Sequence, residues 1–291
     1  MVLVCPSGLI PSAIAVWNRW GEQRQSEASS LEPARPDGPH AVLTAWPDAG
    51  GGFLLETRGL GISFGGVKAL DALTTQFGSG LHCLIGPNGA GKSTFFNLLV
   101  GRYRPTAGTI LYRGRDMTRL ETYQRAQQGI GIKLQVPSIY LRLSVEENVW
   151  LAAYARSRNT RQATERAKEA LQAVGLLSRA GDRAAQLSHG EQQWLEIGMV
   201  IASDPAVILL DEPTAGMTRA EMLRTAQLIT VLARQVMVLV VAHDMDLVRH
   251  LQAPVTVMHL GQIFKQGALD ELRQDEAVLS IYLGRRSGAA R

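Results

Sequence analysis

The chain has 291 residues, of which 46% are hydrophobic and 19% charged, and its formal net charge is +4. This length and composition are ordinary for a globular protein with one large or two small domains. The mild positive charge permits contact with a membrane surface or a nucleic acid but requires neither. The two cysteines, Cys5 and Cys83, are too few for a disulfide framework, and no apolar run is long enough to span a bilayer.

Residues 1–52 are rich in proline, glycine, serine, alanine and arginine, without a sustained hydrophobic period. This composition predicts a disordered N-terminal extension, and an amphipathic anchor around Ile10 to Trp20 is the alternative. The first residues lack a basic segment and a clean cleavage site, so we do not interpret them as a signal peptide. The ordered domain is predicted at 53–284, with a C-terminal tail at 285–291.

The first part of the ordered domain alternates apolar and polar residues in the manner of antiparallel strands, with Gly65-Gly66 as the predicted turn between them. Strands and helices then alternate, with strands predicted at 206–210 and 236–242 and a helix from about Thr218. This alternation predicts an α/β fold with a mostly parallel sheet. A helical pattern interrupts the alternation and predicts an inserted helical subdomain at about 138–200.

The stretch GPNGAGKST matches the P-loop pattern, with an apolar strand predicted before it and a helix after it. Its glycines allow backbone N–H groups to surround a phosphate. Lys92 can reach the β- and γ-phosphates of a nucleotide, and the Ser93 hydroxyl can bind Mg²⁺. The candidate nucleotide-binding residues of the loop are Gly86, Pro87, Asn88, Gly89, Ala90, Gly91, Lys92, Ser93 and Thr94.

Acidic residues follow another apolar strand, in the stretch VILLDEP. The Asp211 carboxylate can hold Mg²⁺, and the Glu212 carboxylate can orient or deprotonate an attacking water. His243, at the end of the apolar stretch VLVVAHD, is a candidate for contact with the γ-phosphate. Open α/β sheets bind ligands at the carboxyl ends of their strands, where these side chains are expected. Gln135 is a weaker candidate, because a glutamine before a proline turn is usually a loop residue.

A second helix start with the character of an anion site lies in the stretch LSHGE, from Leu187 to Glu191. Ser188 and Gly190 precede an apolar helical pattern, and the free N–H groups of a helix start can bind an anion. Ser188 also suits a helix N-cap, and the two uses are compatible because a phosphate can satisfy the same N–H groups. The chain therefore contains two candidate phosphate-binding helix starts.

In their order along the chain, Phe64, the P-loop, Gln135, LSHGE, VILLDEP and His243 resemble the motifs of ABC-type ATPases, the nucleotide-binding subunits of ABC transporters. The stretches LSHGEQQWLEIGM, DEPTAGMT and VLSIYLG are most similar to the urea-type subunits among branched-chain amino acid and urea importers. The resemblance implies a P-loop NTPase fold with an ABC-type core, an N-terminal antiparallel β subdomain and an inserted α-helical subdomain.

The resemblance also implies roles for individual residues, with ATP and Mg²⁺ as the cofactors. Phe64 would stack on adenine, and Gln135 would touch Mg²⁺ or the attacking water. The implied catalytic residues are Glu212, His243 and Gln135. The implied metal ligands are Ser93, Gln135 and Asp211. The implied signature residues, which face the ATP bound to the other subunit of a head-to-tail dimer, are Leu187, Ser188, His189, Gly190 and Glu191.

The partners that the resemblance implies are two integral-membrane permease subunits, a second ATPase subunit and, indirectly, a solute-binding protein. The chain would lie peripherally on the cytoplasmic face of the inner membrane and energise uptake of urea, short amides or branched-chain amino acids. The alternatives are an exporter ATPase of the lipopolysaccharide type and a soluble ABC ATPase. The solute, and the choice between a homodimer and a heterodimer, stay open. No aromatic residues accompany the basic residues at 156–168, so nucleic acid is not expected.

Departures from the usual ABC motifs occur at four positions. His189 replaces the commoner glycine and Glu191 the commoner glutamine, while the serine and second glycine of the signature remain, so the phosphate contact is expected to survive. Thr218 stands at a position that is usually aspartate, which puts communication across the dimer in doubt more than hydrolysis. Ala242 stands where glutamate is frequent, with little consequence expected.

Overall fold

A computed structural model of the chain describes residues 53–133 and 138–283. The predicted N-terminal extension at 1–52, Gln135 and the predicted tail at 285–291 lie outside the described residues. Within the described part, the strands form two sheets, and helices cover them. No helix there is both long and apolar enough to cross a membrane.

The first sheet is antiparallel and has the strand order β2-β1-β4-β5. The turn between its first two strands is Gly65-Gly66, where both residues have positive φ angles (54° and 87°) that glycine adopts without steric cost. The predicted N-terminal hairpin is therefore present. The strands are β1 (Leu55–Phe64), β2 (Val67–Phe77), β4 (Ala107–Tyr112) and β5 (Arg115–Asp116).

The second sheet has the order β10-β9-β3-β8-β7-β6 and is parallel except at its β10 edge. Its central strands are buried on both faces, which is why they read as continuous apolar runs. The strands are β3 (Leu81–Ile85), β6 (Ile130–Lys133), β7 (Val207–Asp211), β8 (Met237–Val241), β9 (Val255–His259) and β10 (Gln262–Gly267).

Three helices between β6 and β7 pack against one another and form the inserted helical layer, α3 (Val145–Ser157), α4 (Thr160–Val174) and α5 (His189–Ala202). The fully buried Trp150 anchors this layer, since its indole stacks on Tyr154 and its Nε1 donates to Thr164 Oγ1 at 3.2 Å. The remaining helices are α1 (Lys92–Leu99), α2 (Thr122–Gln127), α6 (Arg219–Leu232), α7 (Met245–Leu251), α8 (Leu269–Gln274) and α9 (Glu276–Leu283).

Three predicted elements differ by one residue from the structure. The strand predicted at 236–242 runs from Met237 to Val241. The strand predicted at 206–210 runs from Val207 to Asp211, because Asp211 still pairs with Val241 of β8. The helix predicted from Thr218 begins at Arg219, and Thr218 is its N-cap. Asp211 is therefore held by the sheet ladder, and its backbone is fixed by the neighbouring strand.

Candidate functional site

The loop from Gly86 to Gly91 joins the end of β3 to the start of α1. Gly91 has a φ of 98° and is the N-cap of α1. A Cβ at this position would lie 2.7 Å from Ala69 O and 2.8 Å from Leu70 Cδ2, so both the backbone conformation and the packing require glycine. The hydrogen bond from Ala90 N to Pro87 O (3.1 Å) closes the loop into a turn.

The N-terminus of α1 differs from those of the other main helices. It has no side-chain cap and no acidic residue in its first turn. In contrast, α3, α5 and α6 are capped by Ser144, Ser188 and Thr218. The first N–H groups of an uncapped helix carry partial positive charge and suit an anion such as a phosphate.

Lys92 is the first residue of α1, and its side chain folds back across the loop. Its Nζ donates to Gly86 O at 2.7 Å and to Pro87 O at 3.0 Å, and only 8% of the residue is exposed. Burial lowers the pKa of Lys92, and the nearby carboxylates of Glu212 and Asp211 oppose this effect. The ammonium is thus held inside the loop, next to the uncapped helix start.

Asp211 lies at the end of β7 and is buried. Burial raises the pKa of Asp211, and the charge of Glu212 adds to this, whereas Lys133, a hydrogen bond from Ser93 and the charge of Lys92 lower it. The Ser93 hydroxyl and the Asp211 carboxylate are therefore adjacent, as predicted metal ligands should be. The described residues contain no group of three or more His, Cys, Asp or Glu side chains suited to a metal. Mg²⁺ in nucleotide sites needs only one or two protein oxygens besides phosphates and water, so this pair fits it.

Glu212 follows Asp211 with a φ of 47°, an uncommon value for a residue with a side chain. Its N–H donates to Val241 O at 3.0 Å, so the adjacent strand β8 holds this conformation in place. Such left-handed residues cost on the order of 1 kcal/mol and concentrate at functional sites. Glu212 is half-buried at the end of β7.

His243 lies just past the end of β8 and is exposed. The pairing of Asp211 with Val241, and the hydrogen bond from Ala242 N to Leu84 O (3.2 Å), place the ends of β7, β8 and β3 side by side. The structure therefore brings the P-loop, the acidic pair and His243 to one edge of the sheet. Gln135, the remaining predicted member of the group, lies outside the described residues.

Phe64, predicted to contact a base, is at the end of β1 and is 45% exposed. Its ring meets Tyr103 edge to face, with the centroids 5.2 Å apart. Tyr103 follows α1 in the stretch GRYRPT, and sequence reasoning missed it because a single tyrosine after a helix carries no distinctive signal. The pair forms an exposed aromatic surface that can stack on a planar group.

The signature stretch begins α5, with Ser188 as its N-cap. Ser188 Oγ accepts from Glu191 N at 3.3 Å, and Glu191 Oε2 accepts from Ser188 N at 2.8 Å. Arg179 donates to the other Glu191 oxygen at 2.9 Å. Glu191 therefore completes a capping box that also fixes its own side chain. Leu187 is buried, while Ser188 and His189 are exposed at the surface.

The signature contacts the segment that follows Glu212 in the same chain. His189 Nε2 lies 3.2 Å from Ala215 O. Gly190 packs against the Glu221 carboxylate, which a Cβ at position 190 would overlap. Thr218, whose replacement of aspartate was expected to weaken coupling, caps α6, a role that aspartate also fills.

A buried ion pair connects β6 to α5, and sequence reasoning did not identify it. Lys133 Nζ lies 3.7 Å from Glu196 Oε2, and the two side chains are 0% and 3% exposed. The Ser138 hydroxyl also donates to Glu196 Oε1, at 3.3 Å. Burial lowers the pKa of Lys133 and raises that of Glu196, and each partner's charge opposes the other's shift. The pair therefore links the central sheet to the helix that carries the signature.

Comparison with known proteins accounts for this arrangement. Residues 72–215 match the family described as ABC transporter. LivG of Escherichia coli (strain K12), a high-affinity branched-chain amino acid transport ATP-binding protein, is 32% identical over 249 residues, which are 79% of this chain and 98% of LivG. The chain belongs to the ABC transporter family. The resemblance to ABC-type ATPases that the motifs indicated is therefore confirmed at the level of the family.

Two further proteins extend the comparison, one by sequence and one by structure. LptB of Acidithiobacillus ferridurans, a lipopolysaccharide export system ATP-binding protein, is 34% identical over 202 residues, or 69% of this chain and 84% of LptB. The crystal structure of the ADP conformation of MJ1267, an ATP-binding cassette of an ABC transporter, superposes with a TM-score of 0.72 at 25% identity. That match covers 80% of this chain and 99% of MJ1267. The predicted fold class is confirmed, and the chain is an ATPase of this family.

Proposed function

We propose that this chain is the ATP-binding and ATP-hydrolysing subunit of an ABC importer that takes up branched-chain amino acids, urea or short amides through separate permease subunits. The observation that carries the proposal is the nearly complete coverage of LivG, combined with the convergence of Lys92, Asp211 and Glu212 at one sheet edge. Because the motifs resemble those of urea-type subunits, urea and short amides stay among the proposed solutes.

The residues of the P-loop perform the binding of ATP. The N–H groups of the uncapped α1 start receive the phosphates, and Lys92 exchanges its bonds to Gly86 O and Pro87 O for bonds to phosphate oxygens. Phe64 stacks on the adenine, and Tyr103 holds the Phe64 ring from the side. Ser93 and Asp211 hold Mg²⁺, which neutralises charge on the phosphate oxygens.

Glu212 orients the attacking water and accepts its proton. The hydrogen bond from Glu212 N to Val241 O of β8 fixes the strained backbone. The carboxylate is therefore preorganised, and it needs little reorganisation during the reaction. His243, exposed at the end of the adjacent strand, is the proposed contact of the γ-phosphate. Gln135, which lies outside the described residues, is proposed as a ligand of Mg²⁺ or the water.

The start of α5 binds the ATP held by a second ATPase subunit, a copy of this chain or a sister chain. Ser188 and His189, at this helix start, are exposed in the single chain. Two head-to-tail subunits then enclose two ATP molecules, and greater ATP affinity for the closed dimer supplies the work of transport.

The permease contact is proposed at the segment that follows residue 137. Tyr140 and Leu141 are 36% and 50% exposed, while Leu143 is half-buried. Two exposed apolar side chains next to the helical layer suit a cytoplasmic helix of a membrane partner. This contact places the chain peripherally on the cytoplasmic face of the inner membrane, and a solute-binding protein joins the system through the permeases.

Replacement of Glu212 by glutamine tests the catalytic assignment. The variant should bind ATP like the wild type but lose at least about 100-fold in turnover, because the water lacks its base. Glu165→Gln is the matched control, since Glu165 is exposed on α4 and pairs with Arg161 on the helix surface. Full ATPase activity in Glu212→Gln would contradict the proposed role of Glu212.

Affinity capture of the chain from detergent-solubilised membranes tests the transport assignment. Two multi-span permeases with a second ATPase support the importer, and uptake of labelled urea, acetamide or leucine by the reconstituted complex then separates the solutes. The 34% identity to LptB makes lipopolysaccharide export the second candidate, and co-purification of an export complex would replace the importer. Recovery of no membrane protein would favour a soluble ABC ATPase.

A further inference from the structure

We infer that His189 is a positioning residue that joins the signature helix start to the segment Pro213–Thr218 within one subunit. This inference rests on the proposed function, in which the helix start faces the partner's ATP and the segment follows the catalytic Glu212. The usual glycine at position 189 has no side chain with which to make this connection, so the joining element is a property of this chain's departure from the common motif.

The direct contact runs from His189 Nε2 to Ala215 O over 3.2 Å. A carbonyl oxygen only accepts, so the imidazole tautomer with a proton on Nε2 is the one that makes the bond. Gly216 makes room for the ring, since a Cβ at that position would lie 3.0 Å from His189 Nε2. The φ of 74° at Gly216 turns the segment so that the Ala215 carbonyl points to α5.

A second contact next to the first joins the same two elements. The Glu221 carboxylate covers Gly190, and it accepts from both Thr218 N and Thr218 Oγ1 at 2.8 Å. These hydrogen bonds from Thr218 lower the pKa of Glu221, and the nearby His189 contributes in the same direction. The Glu221 carboxylate therefore bonds to the end of the segment and packs against the signature at Gly190.

The two helices are also locked further along their length. Trp194 Nε1 donates to the buried Thr225 Oγ1 at 2.9 Å, and the Arg224 guanidinium lies over the Trp194 ring, 4.1 Å from its centroid. With α5 and α6 fixed there, His189 and Glu221 hold their N-terminal ends. A movement of the helix start toward the partner's phosphate must then carry the segment after Glu212 with it.

Amide hydrogen exchange on the full-length chain tests the connection. The amides of Ala215 and Met217 report on the segment, because they donate to Glu212 O (3.2 Å) and Thr214 O (3.1 Å). His189→Ala should speed their exchange about fivefold to tenfold, the effect of losing one net hydrogen bond. His189→Gln should restore protection, since its amide can donate to the same carbonyl. His250→Ala is the control, because His250 contacts a carbonyl of its own helix α7 and joins no second element.

Steady-state ATPase kinetics of the same variants test the consequence. His189→Ala should lower kcat about fivefold to tenfold, with unchanged affinity for a fluorescent ATP analogue, and His189→Gln should recover kcat. Unchanged exchange in His189→Ala, or a Gln variant as impaired as the Ala variant in both assays, would overturn the inference. Wild-type protein without ATPase activity would instead contradict the proposed function, and the exchange result would still decide whether His189 joins the two elements.

Discussion

Removing both partners of the buried Lys133–Glu196 pair should destabilise the fold much less than the sum of the two single removals. Lys133→Met takes the 3.7 Å cation away from the buried Glu196 carboxylate, and Glu196→Gln takes one of its anions away from the buried Lys133 ammonium, which Asp211 still attracts. In Glu196→Gln, the new side chain can still accept the hydrogen bond from Ser138, so this variant differs from the wild type mainly by the lost negative charge. A buried charge without its partner costs about 3–5 kcal/mol in general.

The ordinary pKa values of the two groups set upper limits on these costs. A carboxyl group of ordinary pKa 4.5 takes up a proton at pH 7 for about 3.4 kcal/mol. An amine of ordinary pKa 10.5 loses its proton at pH 7 for about 4.8 kcal/mol. The negative charge of Asp211 favours the charged form of Lys133 and so lowers the cost of keeping its proton. Because burial outweighs pairing for both groups, the double variant should cost well under the sum of the two single changes.

Urea unfolding of the two single variants and the double variant at pH 6, 7 and 8 measures these costs. Loss of the Lys133 charge leaves burial to raise the pKa of Glu196 further, so the stability of Lys133→Met should fall as pH rises. Loss of the Glu196 charge leaves burial to lower the pKa of Lys133 further, so the stability of Glu196→Gln should rise with pH, and both slopes are limited to about 1.4 kcal/mol per pH unit. The exposed pair Arg161–Glu165 is the control, with single costs of about 0.5 kcal/mol. Additive single effects with equal slopes would refute the argument.

Two further predictions concern the buried thiol and the aromatic surface. Burial raises the pKa of the Cys83 thiol to about 12, so Cys83 should not react with a thiol reagent in the native Cys5→Ser variant and should react fully in denaturant; fast native labelling would contradict the packing. Phe64→Ala should weaken ATP binding by about 1–3 kcal/mol, measured by calorimetry, and Phe53→Ala, another exposed phenylalanine, should leave it unchanged. Equal affinities for Phe64→Ala and wild type would exclude the stacking role.

The features that sequence reasoning identified are those with a local signal. A few neighbouring residues are enough to recognise the Gly65-Gly66 turn, the P-loop between strand and helix, and the serine at the start of α5. Apolar runs ending in charged or polar residues likewise located the ends of β7 and β8. Short-range steric and hydrogen-bonding preferences decide these features, and they do not depend on the rest of the fold.

The features that sequence reasoning missed depend on partners far along the chain. Lys133 and Glu196 each stand alone within an apolar stretch, and nothing in either stretch indicates the other. His189 was weighed only as a replacement for glycine, because its contact with Ala215 arises from the packing of α5 against α6. The capping bonds between Thr218 and Glu221 were likewise not predicted, since a substitution pattern does not report hydrogen-bond geometry. The effect of Thr218 on communication across the dimer stays a prediction.

The sheet order has a consequence for synthesis of the chain. β3, which leads into the P-loop, has β8 and β9 as its neighbours, with Leu81 beside Val238 and Cys83 beside Val255. A chain emerging from the ribosome N-terminus first therefore exposes its phosphate loop long before the flanking strands exist. Helices α3 and α4, which pair locally, can fold in the meantime. Nascent chains that end before β8 should fail to retain nucleotide although they already contain the P-loop, the signature and both acidic residues, so nucleotide capture should require that the strands flanking β3 have been synthesised.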